Sequence, residues 1–321
     1  MDPSETGLAK RIADYVVGDR ILAYFAVRRH SVREFARGQF VSLELGDCSG
    51  RLAAVMWEPD HFALTELSEG MVIKARGVVS EYNNRQQLTL DRLRLARLGE
   101  YQLEDIMPHS DQPLERRRGR IKALIERIEN GYVRSLTDSF FDDAKFSEAY
   151  FKAAAGKLWH HAYVGGLSEH SANVAELALD VAGRYSHINK DLLIFGGLLH
   201  DAGKIEQYSI ETVIDYTDSG RLVGHISLAD QWLCQRAQQI EAFPDGLLAK
   251  LRHMILSHHG ELAYASPVVP QIPEAFLLYY CDEIDSKMGA LERIRRRRGT
   301  GWSDYVKMLD RHIYFDPQAE D

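Results

Sequence analysis

The spacing of apolar residues changes once along this chain, and the change divides the chain into two parts. From about residue 14 to residue 98, apolar and polar residues alternate and turn-forming residues interrupt them, a pattern typical of β-strands. From about residue 114, apolar residues recur every three or four positions, as they do in helices. The pattern therefore predicts a β domain followed by a helical domain.

The first part contains five candidate strands with strong turn chemistry between them. The second and third strands are separated by Gly46-Asp47-Cys48-Ser49-Gly50, and the fourth and fifth by Asn83-Asn84-Arg85. A short helix is predicted at 59–67, after the third strand. The predicted strands are 20–28, 39–45, 51–57, 71–82 and 86–95.

Five strands with a helix after the third is the element order of an OB-fold barrel. The segments "VSLELGDCSGRLAAVMW" and "GMVIKARGVVSEYNNRQQLTL" resemble the OB domains that bind single-stranded nucleic acid. The resemblance implies a nucleic-acid-binding domain at 14–98, preceded by an N-terminal segment at 1–13.

The second part begins with a linker and leading helices at 99–157, where Pro108 and Pro113 interrupt the pattern. A helix is predicted at 147–157, after a loop at 137–143. One earlier helical face is formed by Ile121, Leu124, Ile125 and Ile128. We therefore expect a multidomain α and β protein, with a five-stranded OB-fold β-barrel followed by an all-α helical bundle.

Composition narrows the class of protein. Hydrophobic residues make up 45% and charged residues 27% of 321 residues, which is typical of globular proteins. No run approaches the roughly 20 apolar residues that span a bilayer, so no membrane partner is expected. The formal net charge of −8 also excludes a protein that coats nucleic acid through overall positive charge.

The charge is unevenly distributed. Residues 15–98 contain 12 basic and 10 acidic residues, a balance of +2, which leaves −10 for the rest of the chain. Single-stranded nucleic acid is usually bound by a basic groove with aromatic platforms. The alternative is that most aromatic rings in this part, including Tyr24 and Phe40, fill the barrel core. The predicted nucleic-acid-binding residues are Phe25, Arg28, Arg51, Trp57, Tyr82 and Arg85.

Three cysteines, Cys48, Cys234 and Cys281, lie far apart without CxxC spacing. Their odd number and spacing fit neither a disulfide framework nor a structural zinc site. A reducing cytoplasm is the expected location.

Histidines are concentrated in the helical part. Nine of the 13 fall between residues 160 and 259, and neutral imidazole is the commonest side-chain ligand of divalent metals. His200 and Asp201 follow an apolar helix in "LLIFGGLLHDAGK". Two ionisable groups on a buried helix are costly unless they are paired, so we expect them to coordinate a cation.

The motif "GGLLHDAGK" is preceded by "HHAYVGGLSEHSANVAELA" and followed by "GH", "SHHG" and "CDEIDS". Together these resemble the HD superfamily of metal-dependent phosphohydrolases, over residues 158–290. A C-terminal helix and tail would follow at 291–321. An OB domain followed by an HD domain resembles the YhaM-type 3′→5′ exoribonucleases.

The resemblance implies particular roles. It makes His170 the first ligand, His200 and Asp201 the central pair and Asp282 the closing carboxylate. The further ligands of a two-metal site would be His225, His258 and His259, with Asp201 bridging the ions.

Some alternatives stay open among these residues. His170 could be a hydrogen-bonded core histidine, and the sequence does not decide which metal each of His258 and His259 would bind. Asp285 competes with Asp282 but would more naturally orient a ligand histidine. Two neighbouring histidines, His160 and His161, are expected to contact substrate or orient ligands.

The implied activity is hydrolysis of single-stranded RNA, or also DNA, from the 3′ end to nucleoside 5′-monophosphates by metal-activated water. Asp201 would be catalytic, and Lys204 would approach a phosphate oxygen. One or two divalent transition-metal ions are expected, Mn²⁺ or Co²⁺ first, with Fe²⁺, Ni²⁺ and Zn²⁺ also compatible with nitrogen and oxygen ligands. A homo-oligomer would present several barrels to one strand.

Two rival interpretations remain. The HD domain could hydrolyse a small nucleotide or a cyclic dinucleotide. Alternatively, the chain could be a non-catalytic nucleic-acid-binding or regulatory protein, although a scaffold does not need seven metal-capable residues in register.

Overall fold

The computed structural model describes residues 10–317 except residues 37, 84, 98 and 158. Most of the predicted N-terminal segment, the turn residue Asn84 and the predicted domain-boundary residues 98 and 158 lie outside the described residues. The chain divides into two compact units. One comprises the chain up to His109 together with Ile210–Val213, and the other comprises Ser110–Ser209 and the chain from Ile214 onward.

The first unit is a closed five-stranded barrel, which confirms the predicted OB fold. The strand order around the barrel is β1-β2-β3-β5-β4, and only the β3–β5 pair is parallel. Buried Val41, Leu43 and Leu45 alternate with half-buried residues along the second strand and fill the interior. The strands are β1 (Arg20–Phe35), β2 (Gly38–Gly46), β3 (Arg51–Met56), β4 (Val72–Tyr82) and β5 (Arg85–Leu95).

A short helix α1 (His61–Thr65) follows β3, as predicted. It begins after Asp60, whose carboxylate accepts a hydrogen bond from the Ala63 N–H at 2.9 Å and so caps the helix. Ala63 is fully buried against the barrel core. A 3₁₀ turn at Ile12–Asp14 and the short helix α2 (Leu103–Ile106) complete the regular structure of this unit.

Strand β1 is seven residues longer than predicted. Past a bulge between Val27 and Arg29 it continues to Phe35, pairing with β2. The prediction ended early because residues 29–34 have no apolar face toward the core: only Val32 among them is apolar, and it is exposed. Pairing with β2, rather than burial, extends this strand.

The second unit is mostly helical, as predicted. Its helices are α3 (Leu114–Glu126), α4 (Gly131–Phe141), α5 (Ala144–Lys152), α6 (Gly166–Ala182), α7 (Lys190–Leu199), α8 (Lys204–Gln207), α9 (Asp218–Leu222), α10 (His225–Ala237), α11 (Asp245–Leu256) and α12 (Pro273–Arg298). A 3₁₀ turn lies at Leu262–Tyr264. Two small two-stranded sheets after the barrel were not predicted: β6 (Tyr208–Ile210) with β7 (Ile214–Tyr216), whose connecting residues belong to the first unit, and β8 (Gly301–Trp302) with β9 (Tyr314–Phe315).

The predicted loop at 137–143 is wrong. Helix α4 covers most of it, because Val133, Leu136 and Phe140 form a buried face at helical spacing. Helix α5 ends earlier than predicted, at Lys152, where Ala153 adopts an extended conformation.

Helices α6 and α7 lie at the centre of the helical unit, and a glycine determines how closely they pack. A Cβ atom at Gly197 in α7 would lie 2.7 Å from Ala175 Cα in α6. Glycine is therefore required for the backbones of these two helices to reach their observed separation.

Among the described residues, no helix combines the length and the apolar character that crossing a membrane requires.

We expect Gly197→Ala to lower the free energy of unfolding by about 3 kcal/mol, because the new methyl group would overlap the Ala175 backbone. The matched control is Gly119→Ala in α3, where a Cβ would meet nothing within 4 Å. That substitution should instead stabilise the helix by about 1 kcal/mol. Calorimetric unfolding of both variants tests the pair. Equal stability of the two variants would contradict the close-packing argument.

Candidate metal centre and nucleic-acid interface

The residues predicted as metal ligands come together in the helical unit although they are spread over more than 110 positions of the chain. Each lies in or directly beside a helix, so its backbone position is fixed by the helix packing. They are His170 in α6, His200 and Asp201 after α7, His225 at the start of α10, His258 and His259 after α11, and Asp282 in α12.

The local sequence explains how His200 and Asp201 reach this position. Helix α7 is buried along its apolar run, and its first turn is capped by Asn189, whose side chain accepts from two backbone N–H groups. After the helix, the chain turns tightly through Gly203. A Cβ at Gly203 would lie only 2.0 Å from the carbonyl oxygen of His225, so glycine lets the two segments meet.

Asp201 lies between two sets of histidines and is 1% exposed. Its Oδ2 atom is 3.5 Å from the Nε2 atoms of both His170 and His200. Its Oδ1 atom is 3.3 Å from His225 Nε2 and 3.5 Å from His258 Nε2. The two oxygens of a single carboxylate thus face two different clusters.

The first cluster consists of His170, His200 and Asp201, with Asp282 beside it. The Nε2 atoms of the two histidines are 3.3 Å apart, and Asp282 Oδ1 lies 3.2 Å from His170 Nε2 and 3.9 Å from His200 Nε2. The second cluster consists of His225, His258 and His259, with ligand-capable atoms all within 4.8 Å of one another.

The opposite ring nitrogen, Nδ1, of each of these five histidines faces an oxygen acceptor. The acceptors are Asp285 for His170, the Gly196 and Gly197 carbonyls for His200, Gln207 for His225, the Ile255 carbonyl for His258 and the Tyr264 carbonyl for His259. A carbonyl or carboxylate oxygen can only accept, so each Nδ1 carries the proton. In the neutral ring each Nε2 then has a free lone pair.

Several atoms of this region are buried without a hydrogen-bond partner among the described residues. They are Asp201 Oδ1, His225 Nε2 and His258 Nε2, together with both ring nitrogens of His160. Unpartnered buried polar atoms are rare, and a cation between an oxygen and two imidazole lone pairs would satisfy the first three. The donor set therefore fits a divalent ion.

Burial controls the charge of most of these histidines. It lowers the pKa of His200 and of His259 to about 4, and lowers the pKa of His225 well below its usual value, which keeps these rings neutral. His170 differs. Burial opposes its protonation, but hydrogen bonds with Asp282 and Asp285 raise its pKa to about 10, so an ion at Nε2 would have to displace a proton.

Asp201 keeps its negative charge for a related reason. Burial alone would raise its pKa, but the Lys204 ammonium and the surrounding histidines hold the pKa of this carboxyl well below its usual range. Lys204 Nζ lies 2.5 Å from Asp201 Oδ2 and is itself buried. The structure thus places Lys204 directly at the shared carboxylate.

Asp285 lies behind His170 and receives three hydrogen bonds. Its Oδ2 atom is 2.7 Å from His170 Nδ1 and 2.8 Å from His161 Nε2, and its Oδ1 accepts from Asn173 Nδ2 at 2.9 Å. His161 in turn contacts the Tyr163 hydroxyl. His160 packs beside His170, with ring centroids 5.2 Å apart.

The sequence analysis did not predict roles for two residues of this region, Asn173 and Gln207. Gln207 Oε1 accepts hydrogen bonds from both the backbone N–H and Nδ1 of His225, each at 2.9 Å. Its position three residues after Lys204 was the available signal, but a glutamine has no ligand chemistry of its own.

In the barrel, two of the predicted nucleic-acid contacts are wrong. Phe25 is 1% exposed and packs edge-on against Tyr15 in the core, so no base can stack on it. The Arg28 guanidinium is used internally, donating to the carbonyls of Ile106 and Thr212, both residues of the same unit. Burial lowers the pKa of Arg28 to about 10.

The other four predicted contacts lie at the surface. Trp57 is 50% exposed and packs against Phe40 and Phe35, with ring centroids 4.9 Å and 5.7 Å away. Arg51 pairs with Glu44 at 2.6 Å. Tyr82 and Arg85 flank the β4–β5 turn and line a shallow pocket together with Ala53, Gln86 and Gln87.

Phe35 was missed because the predicted first strand stopped at residue 28. In the observed register Arg33 pairs with Phe40 and Arg29 with Glu44, and directly paired residues point to the same side of a sheet. The outer surface of β1, β2 and β3 therefore combines two arginines with three clustered rings. We call Phe35, Phe40 and Trp57 the aromatic platform.

Comparison with known families agrees with this division of the chain. Residues 25–96 match the model of an OB-fold nucleic acid binding domain, and residues 167–287 match the model of the HD domain. An HD domain implies divalent metal ions, in keeping with the histidine and aspartate clusters of the second unit.

Curated relatives match nearly the whole chain. Proteins named 3′-5′ exoribonuclease YhaM from Bacillus velezensis and Bacillus subtilis are 29% and 28% identical over 97% of this chain and 99% of their own length. A Geobacillus protein of the same name is 27% identical over 97% of this chain and 96% of its own. These matches confirm the resemblance found in the sequence motifs. The chain therefore contains an OB-fold domain followed by an HD domain, and its full-length homologues are named 3′-5′ exoribonuclease YhaM.

Proposed function

We propose that this protein is a metal-dependent 3′→5′ exoribonuclease that hydrolyses single-stranded RNA to nucleoside 5′-monophosphates. One observation carries the proposal: four histidines direct Nε2 toward Asp201 while their Nδ1 atoms face oxygen acceptors, and His259 lies beside two of them. This arrangement favours two ions joined by one carboxylate. The activity named for the full-length relatives supports the same reaction class.

In this proposal His170, His200 and Asp282 would hold one ion, His225, His258 and His259 would hold the other, and Asp201 would contribute an oxygen to each. When bound, two divalent ions supply an activated water and offset the negative charge of the phosphodiester. Nitrogen and oxygen donors without thiolate suit Mn²⁺ or Co²⁺, and Fe²⁺, Ni²⁺ or Zn²⁺ are also compatible.

Other side chains act on the ligands or on the substrate. Asp285 and Gln207 orient His170 and His225 by accepting from Nδ1. Lys204 provides a fixed positive charge where a phosphate oxygen would lie. Both ring nitrogens of the half-buried His160 are themselves buried and have no partner among the described residues, and burial lowers the pKa of this ring, which supports a hydrogen bond from it to the substrate.

The barrel is proposed to bind the RNA upstream of the cleaved end. The aromatic platform offers ring faces for bases, and Arg29 and Arg33 lie on the same side of the sheet for phosphates.

A cytoplasmic location is part of this proposal, since all three cysteines are free thiols. The homo-oligomer expected from the sequence stays a prediction.

The test of the reaction is a digest of labelled single-stranded RNA and of DNA with the same sequence, in Mn²⁺, Co²⁺, Mg²⁺ or EDTA. A 3′ label should appear at once as a mononucleoside 5′-monophosphate, while a 5′-labelled strand shortens stepwise. Internal fragments, hydrolysis in EDTA, or hydrolysis of mononucleotides alone would contradict the proposal.

Asp201→Asn should abolish hydrolysis while leaving the affinity for single-stranded RNA within about twofold, because the barrel is untouched. The amide keeps the shape of the side chain but cannot act as a bridging anion. Gel kinetics and fluorescence anisotropy check the two parts, with Asp218→Asn, an exposed aspartate of α9, as the control. Wild-type turnover in the Asp201 variant would refute the bridging role.

Gln207→Leu should weaken binding of one ion per chain by about 10- to 100-fold, because His225 loses the acceptor that fixes its ring. Calorimetric titration of the full chain with Mn²⁺ or Co²⁺ measures this directly, and the other ion should bind as in the wild type. Gln231→Leu, an exposed glutamine on the same helix as His225, is the control. Unchanged stoichiometry and affinity would show that Gln207 is dispensable.

Trp57→Ala should weaken binding of a long single-stranded RNA by about 1–3 kcal/mol, the usual contribution of one stacked base. Binding should also weaken as salt is raised, since phosphate contacts release counterions. The control is Trp302→Ala, which removes an exposed tryptophan of the other unit. An equal loss in both variants would argue against a specific platform on the barrel.

A further inference from the structure

The small β6–β7 sheet carries two tyrosines surrounded by charged side chains. The rings of Tyr208 and Tyr216 lie 5.0 Å apart. Lys157 Nζ is 5.8 Å and Arg221 Cζ is 5.4 Å from the centre of the Tyr216 ring. Both cations also contact one oxygen of Asp215, at 2.5 Å and 3.5 Å. We call these five residues the hairpin patch.

The hairpin patch has one positive charge in excess and remains accessible. Two cations share one carboxylate, and the Arg221 side chain is 61% exposed. Tyr216 is 40% exposed, and neither tyrosine belongs to the hydrophobic core cluster found among the described residues of this unit. Packing alone therefore does not account for two aromatic rings at this position.

Hydrogen bonds tie the hairpin patch to the metal centre. Gln207, which immediately precedes Tyr208, accepts from His225 through its side chain, and its backbone carbonyl accepts from Thr217 N–H at 3.0 Å. Thr217 immediately follows Tyr216. Lys157 lies three residues before His160, whose ring packs beside His170. The patch and the proposed ligands are thus held by the same few segments.

We propose that the hairpin patch is a substrate subsite of the catalytic unit, in which a nucleotide next to the cleaved phosphodiester stacks its base on Tyr216 and places its phosphate against Lys157 and Arg221. Aromatic faces and cations are the two features that bind single strands without sequence preference. The inference rests on the proposed exoribonuclease function. It differs from the aromatic platform because it belongs to the catalytic unit and would bind the few nucleotides at the cleaved end.

The test uses the full chain and two RNA substrates, a tetranucleotide and a 20-mer. Tyr216→Leu should raise KM for the tetranucleotide about tenfold with little change in kcat, because the stacked base is lost. Tyr216→Phe and Tyr216→Trp should stay within about twofold of the wild type, because both keep a ring.

Two controls separate stacking from packing. Tyr185→Leu removes a similarly exposed tyrosine of the same unit and should have no effect. Bound metal and thermal unfolding should be unchanged in Tyr216→Leu. If Tyr216→Trp fails as badly as Tyr216→Leu, or if Tyr216→Leu keeps the wild-type KM, the subsite is refuted.

A binding measurement distinguishes failure of the subsite hypothesis from failure of the proposed exoribonuclease function. In the Asp201→Asn background, adding Tyr216→Leu should raise the Kd of a labelled tetranucleotide about tenfold. A raised Kd with an inactive wild type would refute the exoribonuclease but support the subsite. An active wild type with unchanged Kd and KM would refute only the subsite.

The charges are tested by salt dependence. Lys157→Gln combined with Arg221→Gln should make the slope of log Kd against log salt for the tetranucleotide shallower by about 0.7, the contribution of one phosphate contact on a single strand. An unchanged slope would exclude phosphate binding by these two cations.

Discussion

The architecture of the helical unit depends on one buried anion. Asp201 is fully enclosed, and a carboxylate without water is costly unless cations or donors surround it. Lys204 and four histidines from separate segments meet this requirement. Lys204 and His200 are neighbours of Asp201 in the chain, but His170, His225 and His258 are distant, so the complete set of partners forms only when α6, α7, α10 and the end of α11 are correctly packed. The complete site is therefore a property of the folded unit and of no single segment.

The two units answer different physical demands. The formal net charge outside residues 15–98 is −10. Part of this negative charge belongs to acidic groups of the helical unit that bound cations would offset. The barrel has a slight positive excess and presents rings and arginines on an open sheet surface. Single-stranded nucleic acid bound at such an open surface can dissociate and rebind, whereas hydrolysis needs a rigid, enclosed centre. Separating the two tasks lets each surface keep the polarity it needs.

Much of this was predictable because motif chemistry and periodicity act locally. The five strands and the convergence of histidines with Asp201 follow from alternation and from the HD motifs. Phe25 and Phe35 show the limit of this approach. Phe25 is buried and Phe35 is exposed, and the bulge between Val27 and Arg29 changes which side of the sheet the later residues face, which periodicity does not reveal. Gln207 shows another limit, since its role comes from a hydrogen bond to a residue 18 positions away.

The contact between Gly197 and Ala175 has a consequence for the spacing of two predicted ligands. His170 and His200 sit on α6 and directly after α7, two helices that touch backbone to backbone, so their spacing is a property of the main chain rather than of flexible side chains. A larger side chain at this contact would separate the two helices and move His170 away from His200. Gly197 lies three residues before His200 and is not itself a predicted ligand, yet it sets the distance between two residues that are.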